Sequence, residues 1–125
     1  MHGSIDLACE LIVKREGREN NQFDVLTIWH YNCNMRFEWD EKKRLVNIRK
    51  HGIDFADIPA IFEGDIVTVI DDRFEYRETR YQTLGLLESR VILVVHTESE
   101  TIIRIISARK ATKYEEKIYF SEIAD

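Results

Sequence analysis

An α+β fold, a small antiparallel sheet flanked by helices, is predicted by three features of the chain. Between residues 66 and 107 four strand-like runs follow one another with short connections between most of them. Short connections imply antiparallel neighbours, because parallel pairing needs a long crossover. Two capped helical stretches precede these runs, and a capping box opens a third helix behind them. The expected order is α-α-β-β-β-β-α.

The first helix opens at Asp40, whose carboxylate can accept amides of the turn Glu41-Lys42-Lys43-Arg44, with Leu45 and Ile48 on the buried side. Early acids and later bases suit the helix dipole, and Gly52 closes the helix in the left-handed position. Asp54 caps a second helix through Phe55, Ile58, Ile61 and Phe62. Pro59 makes this a short or distorted turn, and Gly64 ends it. The strands are expected at 66–70, 80–87, 91–97 and 101–107. The third is nearly all apolar, as suits a central strand covered on both faces. Glu88-Ser89-Arg90 and Glu98-Ser99-Glu100 turn the chain. Thr112-Lys113-Tyr114-Glu115 is the capping box, and Ile118 and Tyr119 continue its helix.

Residues 35–125 are read as the domain and residues 1–34 as an N-terminal extension outside its core. Within the extension, Ile5, Leu7, Leu11, Ile12 and Val13 could form one face of a short helix. Residues 16–22 read as a loop, and 25–29 have strand propensity but stand alone. Two explanations are open. Met35 is the natural start and the preceding residues come from an upstream start assignment, or the segment is an arm that packs on the domain or on a partner. Cys9 and Cys33 both fall here and read as incidental free thiols.

At 125 residues, one domain is the expectation, and 44% apolar with 33% charged residues is too hydrophobic for disorder and too polar for a membrane protein. No run approaches the roughly 20 apolar residues that span a bilayer, and no signal peptide is evident. A cytoplasmic protein is expected. The net charge of −5 disfavours a dedicated non-specific nucleic-acid binder, so any RNA contact needs a local basic patch.

Phe37-Glu38-Trp39-Asp40-Glu41-Lys42-Lys43, then Asn47, then Lys50-His51-Gly52-Ile53-Asp54-Phe55 resembles the opening of the BrnT toxin family. Val95-His96-Thr97 followed by Arg104-Ile105-Ile106-Ser107-Ala108-Arg109-Lys110-Ala111-Thr112 resembles its closing motif. The resemblance runs from about Met35 to about Tyr119. It implies a RelE-like fold and a ribonuclease toxin of a bacterial type II toxin–antitoxin pair that cuts RNA without a metal or other cofactor and so inhibits translation. It further implies a BrnA-like antitoxin that carries the DNA-binding region. Operator DNA is then reached only through the antitoxin, the complex represses its own operon, and a toxin–antitoxin heterotetramer is among the assemblies to expect.

Metal-free RNA cleavage uses the substrate's 2′-hydroxyl as nucleophile, so the protein must orient it, stabilise the phosphorane charge and help move a proton. Arg104 interrupts four isoleucines in one strand and shares a face with Ile102 and Ile106. A charge there is either paired with a nearby acid or in use. Arg109 and Lys110, between the last strand and the last helix, either present cations to an anion or form an ordinary basic loop. Arg80 at the start of the second strand could extend the same surface. His51 is of a residue type suited to proton transfer and has Lys50 beside it, although bases before a closing glycine also simply suit the helix dipole. His51, Arg104 and Arg109 are the catalytic candidates; Lys50, Arg80 and Lys110 are the substrate-binding ones. His96 reads as a core histidine and Trp39 as a core anchor, while Tyr76 and Tyr81 stay undecided. The acids Asp71, Asp72, Glu75 and Glu78 could hold Mg²⁺, but Arg73 and Arg77 among them favour a solvated loop, so no metal is expected. A non-catalytic module that docks a DNA-binding antitoxin-like partner is the alternative.

Overall fold

The computed structural model describes residues 2–6, 15–16, 25–28, 35–73 and 77–124. Its strands are β1 (His2–Asp6), β2 (Arg15–Glu16), β3 (Val25–Ile28), β4 (Arg36–Asp40), β5 (Val67–Asp71), β6 (Arg80–Leu87), β7 (Arg90–Glu98) and β8 (Ile102–Lys110). The helices are α1 (Glu41–His51), α2 (Ile58–Ile61) and α3 (Lys113–Ile123), with a 3-10 turn at Phe55–Asp57 leading into α2.

The fold is α+β, and the three helices and four main strands lie where local signals put them. Asp40 accepts from the Lys42 and Lys43 amides, and Gly52 ends α1 at φ 71°. Thr112 and Glu115 form the capping box of α3. Neighbours in the sheet run β1-β4-β8-β7-β6-β5-β3-β2, and every pair is antiparallel except β4 with β8. That parallel strand, ahead of α1, is the element the expected order lacks. It alternates Phe37 and Trp39 inward with Arg36 and Glu38 outward.

The segment before Met35 adds backbone pairing at both margins of the sheet. β1 pairs with β4, and β3 with β5. Ile5 therefore lies in a strand rather than a helix, because the outer edge of β4 offers amides and carbonyls that His2–Asp6 can satisfy. The other residues of that expected helix, Leu7 to Val13, and both cysteines lie outside the described residues, as does Tyr76.

Apolar residues pack on both faces of the sheet. On one face Phe37, Trp39, Ile92, Val94, Ile103, Ile105 and Ala108 meet Phe55, Ile58, Ile61 and Phe62 from the 3-10 turn and α2. On the other, Val67, Val69, Leu84, Val91 and Leu93 meet Ile118 and Tyr119 of α3. Gly85 faces α2 so closely that a Cβ there would lie 2.2 Å from Ile61 Cγ2.

The anchor of α1 is Asn47 rather than Leu45, which is exposed. β4 pairs with β8 only as far as Ile105, and beyond it the edge of β8 needs other partners. Asn47 supplies them. Its Nδ2 donates to the carbonyls of Ala108 and Ile53, both at 2.9 Å, and its Oδ1 accepts from the Ala108 amide at 3.2 Å. A side-chain amide thus continues the ladder where the strand stops.

Candidate functional site

One irregularity organises the basic residues. β7 and β8 pair His96 with Ile105 but Val95 with Ser107, leaving Ile106 as an extra residue in β8. Before the bulge, Ile103 and Ile105 face α2; after it, Ala108 does. The parity of the strand is therefore reversed across Ile106, and Arg104, Ser107 and Arg109 come to share the face opposite α2. In an unbulged strand Arg104 and Arg109, five residues apart, would face opposite ways.

The register places Arg104 in a row that crosses the sheet. Arg104 is opposite Glu38 on β4 and Thr97 on β7, and Arg80 on β6 is opposite Asp71 on β5. Tyr81 pairs with His96, so the same register brings Arg80 level with Thr97. Arg104 and Arg80 thus flank Thr97 on one face, two strands or about 10 Å apart. Arg104 is half buried. Among the described residues its guanidinium has no ion pair or side-chain hydrogen bond. The ordinary explanation of a charge in this strand, a salt bridge to a neighbouring acid, is not realised there.

Arg109 is held differently. It lies within β8, which extends through Lys110, rather than in a loop. Its Nη1 and Nη2 donate to the two Glu115 carboxylate oxygens at 2.9 and 3.0 Å. Burial pushes the Glu115 carboxyl up, but its hydrogen bonds from Arg109 and Thr112 leave it below the usual value. Arg109 thereby ties β8 to the first turn of α3. Lys110, opposite Ile92 in the register, falls on the face away from Arg104.

Beside β8, α1 and the bulge enclose a cleft of about 340 Å³ lined by Lys42, Lys43, Val46, Asn47, Lys50, His51, Ile106 and Ser107. Two helical rows, 42-46-50 and 43-47-51, line up here because residues four apart share a face. Lys50 and His51 therefore both line the cleft, together with the apolar Val46 and Ile106. Lys42, Lys43 and Ser107 were not singled out from sequence. The helical spacing from Lys50 and His51 was the available signal for the two lysines, whereas Ser107 depends on the bulge. The cleft opens next to the face of Arg104, since Ser107 belongs to both.

His96 is a core histidine. It is fully buried, edge-on to Phe62, stacked with Tyr81 and 2.6 Å through Nε2 from Thr83 Oγ1. Burial lowers its pKa to about 3, so its Nδ1, 3.6 Å from Glu98, makes a neutral polar contact rather than an ion pair. Trp39 is also buried and donates to Glu41. In the acidic loop, Asp71 receives Arg73 through two hydrogen bonds of 2.8 and 2.9 Å, while Glu75 lies outside the described residues. Among the described residues no group of three or more His, Cys, Asp or Glu side chains is placed to hold a metal ion. No helix among them is long and apolar enough to cross a membrane.

Residues 39–115 match the family model for the ribonuclease toxin BrnT of type II toxin–antitoxin systems. The match takes in α1, the cleft, Arg80, Arg104 and Arg109, and it ends on Glu115. A search of curated proteins finds no match.

Proposed function

The chain belongs to the BrnT family of ribonuclease toxins of type II toxin–antitoxin systems, and we propose that it cleaves RNA without a metal ion, on the sheet face that carries Arg104. The substrate's own 2′-hydroxyl attacks the adjacent phosphate. Arg104 stabilises the charge that develops on the phosphorane oxygens, because a planar guanidinium can donate to two of them at once.

The observation that carries this reading is the half-buried Arg104 guanidinium without an ion pair among the described residues. Arg80, level with Thr97 in the same row, can reach the same phosphate from the other side. The remaining candidates take places along the path of the strand. Lys50 and His51 hold a flanking nucleotide in the cleft. Arg109 fixes the start of α3 through Glu115, whereas Lys110, on the opposite face, lies off this path.

A toxin of this kind acts against an antitoxin partner. Here we infer a BrnA-like antitoxin that covers α3 and the basic sheet face, supplies the DNA-binding region and represses the operon as part of the complex. Residues 35–125 are the toxin domain in this reading, since the family match begins at residue 39.

Purified protein incubated with RNA in EDTA tests the enzyme claim. Cleavage by the native chain and its loss on Arg104→Ala are expected. Equal cleavage by the variant removes Arg104 from the mechanism, and no cleavage by either removes the enzyme. The net charge of −5 favours a second reading, a non-catalytic docking module. Growth arrest on induction, relieved by co-expressing the adjacent gene, would argue against that reading.

A further inference from the structure

We propose that Glu38 is the general base of the ribonuclease, taking the proton from the 2′-hydroxyl as that oxygen attacks the phosphate bound by Arg104. This inference rests on the ribonuclease reading above and adds to it a residue and a step.

Glu38 lies directly opposite Arg104 in the parallel pair of β4 and β8. Their Cβ atoms are expected about 5 Å apart on one face of the sheet. Phe37 and Trp39 are buried on the other face, so the Glu38 carboxylate is directed away from the core formed with α2. Glu38 is half buried. Among the described residues it makes no ion pair or side-chain hydrogen bond, with Arg104 or with any other group. A carboxylate and a guanidinium placed side by side, but not joined, can each serve a third group. Elsewhere the chain joins such neighbours, as in Arg109 with Glu115 and Arg73 with Asp71.

A phosphate clamped over Thr97 by Arg104 and Arg80 puts the adjoining ribose over the β4 side of the row, within reach of the Glu38 carboxylate. The O2′–H proton passes to Glu38 as the O2′–P bond forms. The P–O5′ bond breaks, and the 5′-oxygen takes a proton from water. Glu38 then returns its proton to solvent. The products are a 2′,3′-cyclic phosphate and a 5′-hydroxyl.

Charged groups stand near Glu38 on its own strand and on the neighbouring elements. They are Arg36 and Asp40 on its own strand and Arg104 on β8. Lys42 and Lys43 lie at the start of α1.

The test compares the whole chain with its Glu38→Gln and Glu38→Asp variants. It measures kcat and KM on a labelled RNA from pH 4 to 9, together with thermal melts. Glu38→Gln should lower kcat by about 100-fold or more, with KM within about threefold. It should also remove the acidic limb of the kcat profile and leave the melting temperature unchanged. Glu38→Asp should recover part of kcat and keep the limb. A Glu38→Gln variant that cleaves within about threefold of the native rate overturns the proposal while leaving the ribonuclease reading standing. An unchanged acidic limb, a defect confined to KM, or a loss of activity matched by a lower melting temperature overturns it in the same way. A native chain that does not cleave RNA fails the ribonuclease reading and this step together.

Discussion

Truncating Arg104 and truncating Arg109 should damage different properties, although both arginines lie on β8 and share one face. Arg109→Ala removes a two-pronged ion pair in which the arginine is 35% exposed and Glu115 10% exposed. A fully buried charged hydrogen bond would be worth about 1.5–3 kcal/mol, but solvent screening at this exposure reduces the expectation to about 1 kcal/mol. For a chain of this size that is a fall of roughly 3–5 °C in melting temperature. Arg104→Ala removes no ion pair among the described residues, so its melting temperature should stay within about 1 °C of the native value. Its cost belongs to the reaction. Losing a preorganised donor to a developing oxyanion typically costs about 10²–10³ in rate, or roughly 2.7–4 kcal/mol. Arg104→Lys should restore part of the rate, since it keeps the charge and loses the planar fork. The assay pairs thermal melts with initial rates of RNA cleavage. If Arg104→Ala melts as low as Arg109→Ala, or cleaves RNA at the native rate, the distinction between a working arginine and a structural one is wrong.

Three further outcomes follow from the packing. Gly85→Ala should lower stability by about 1–3 kcal/mol in denaturant titrations, because its Cβ would overlap the buried Ile61. Replacing Glu88-Ser89, at φ 51° and 69°, with Asn-Gly should raise stability by roughly 1–2 kcal/mol, since the tight turn between β6 and β7 demands left-handed backbone at both positions. Acid should begin to destabilise the fold below about pH 6.5. The folded His96 pKa is depressed to about 3, so between these values the unfolded chain binds a proton that the folded chain refuses. The limiting slope from this group is about 1.4 kcal/mol per pH unit, and a His96→Gln variant should lose that part of the melting profile.

What could be read from the sequence is what depends on near neighbours. The caps at Asp40 and Gly52, and the pair Thr112 and Glu115, act within one turn of chain, so residue type and spacing disclose them. The strands from β5 to β8 are revealed by apolar runs and short turns. β4 was hidden because Phe37-Glu38-Trp39 is a short alternation, and its parallel partner in β8 lies some 65 positions away. Asn47 was hidden for a related reason. A polar residue in a helix looks solvent-facing until a strand edge that needs an amide is brought beside it. The spacing from Thr112 discloses Glu115 as a capping residue but not its second role, since the carboxylate that accepts from the Thr112 amide also accepts from Arg109 of the preceding strand.

The candidate site was legible as a set of residues but not as an arrangement, and the bulge at Ile106 is the reason. Period-two alternation puts Arg104 and Lys110 together and sends Arg109 to the other side. The extra residue reverses this: Arg109 joins the face of Arg104, and Lys110 leaves it. The same bulge brings Ser107 into the cleft beside α1, so the cleft and the row across the sheet meet at a position where regular alternation would have separated them. Strand alternation is a rule of parity, and one inserted residue inverts everything after it. Placing a bulge requires the pairing partner, because only opposite Val95 and His96 does Ile106 become surplus. The chemistry of this face therefore depends on a feature of two strands, invisible in either one alone.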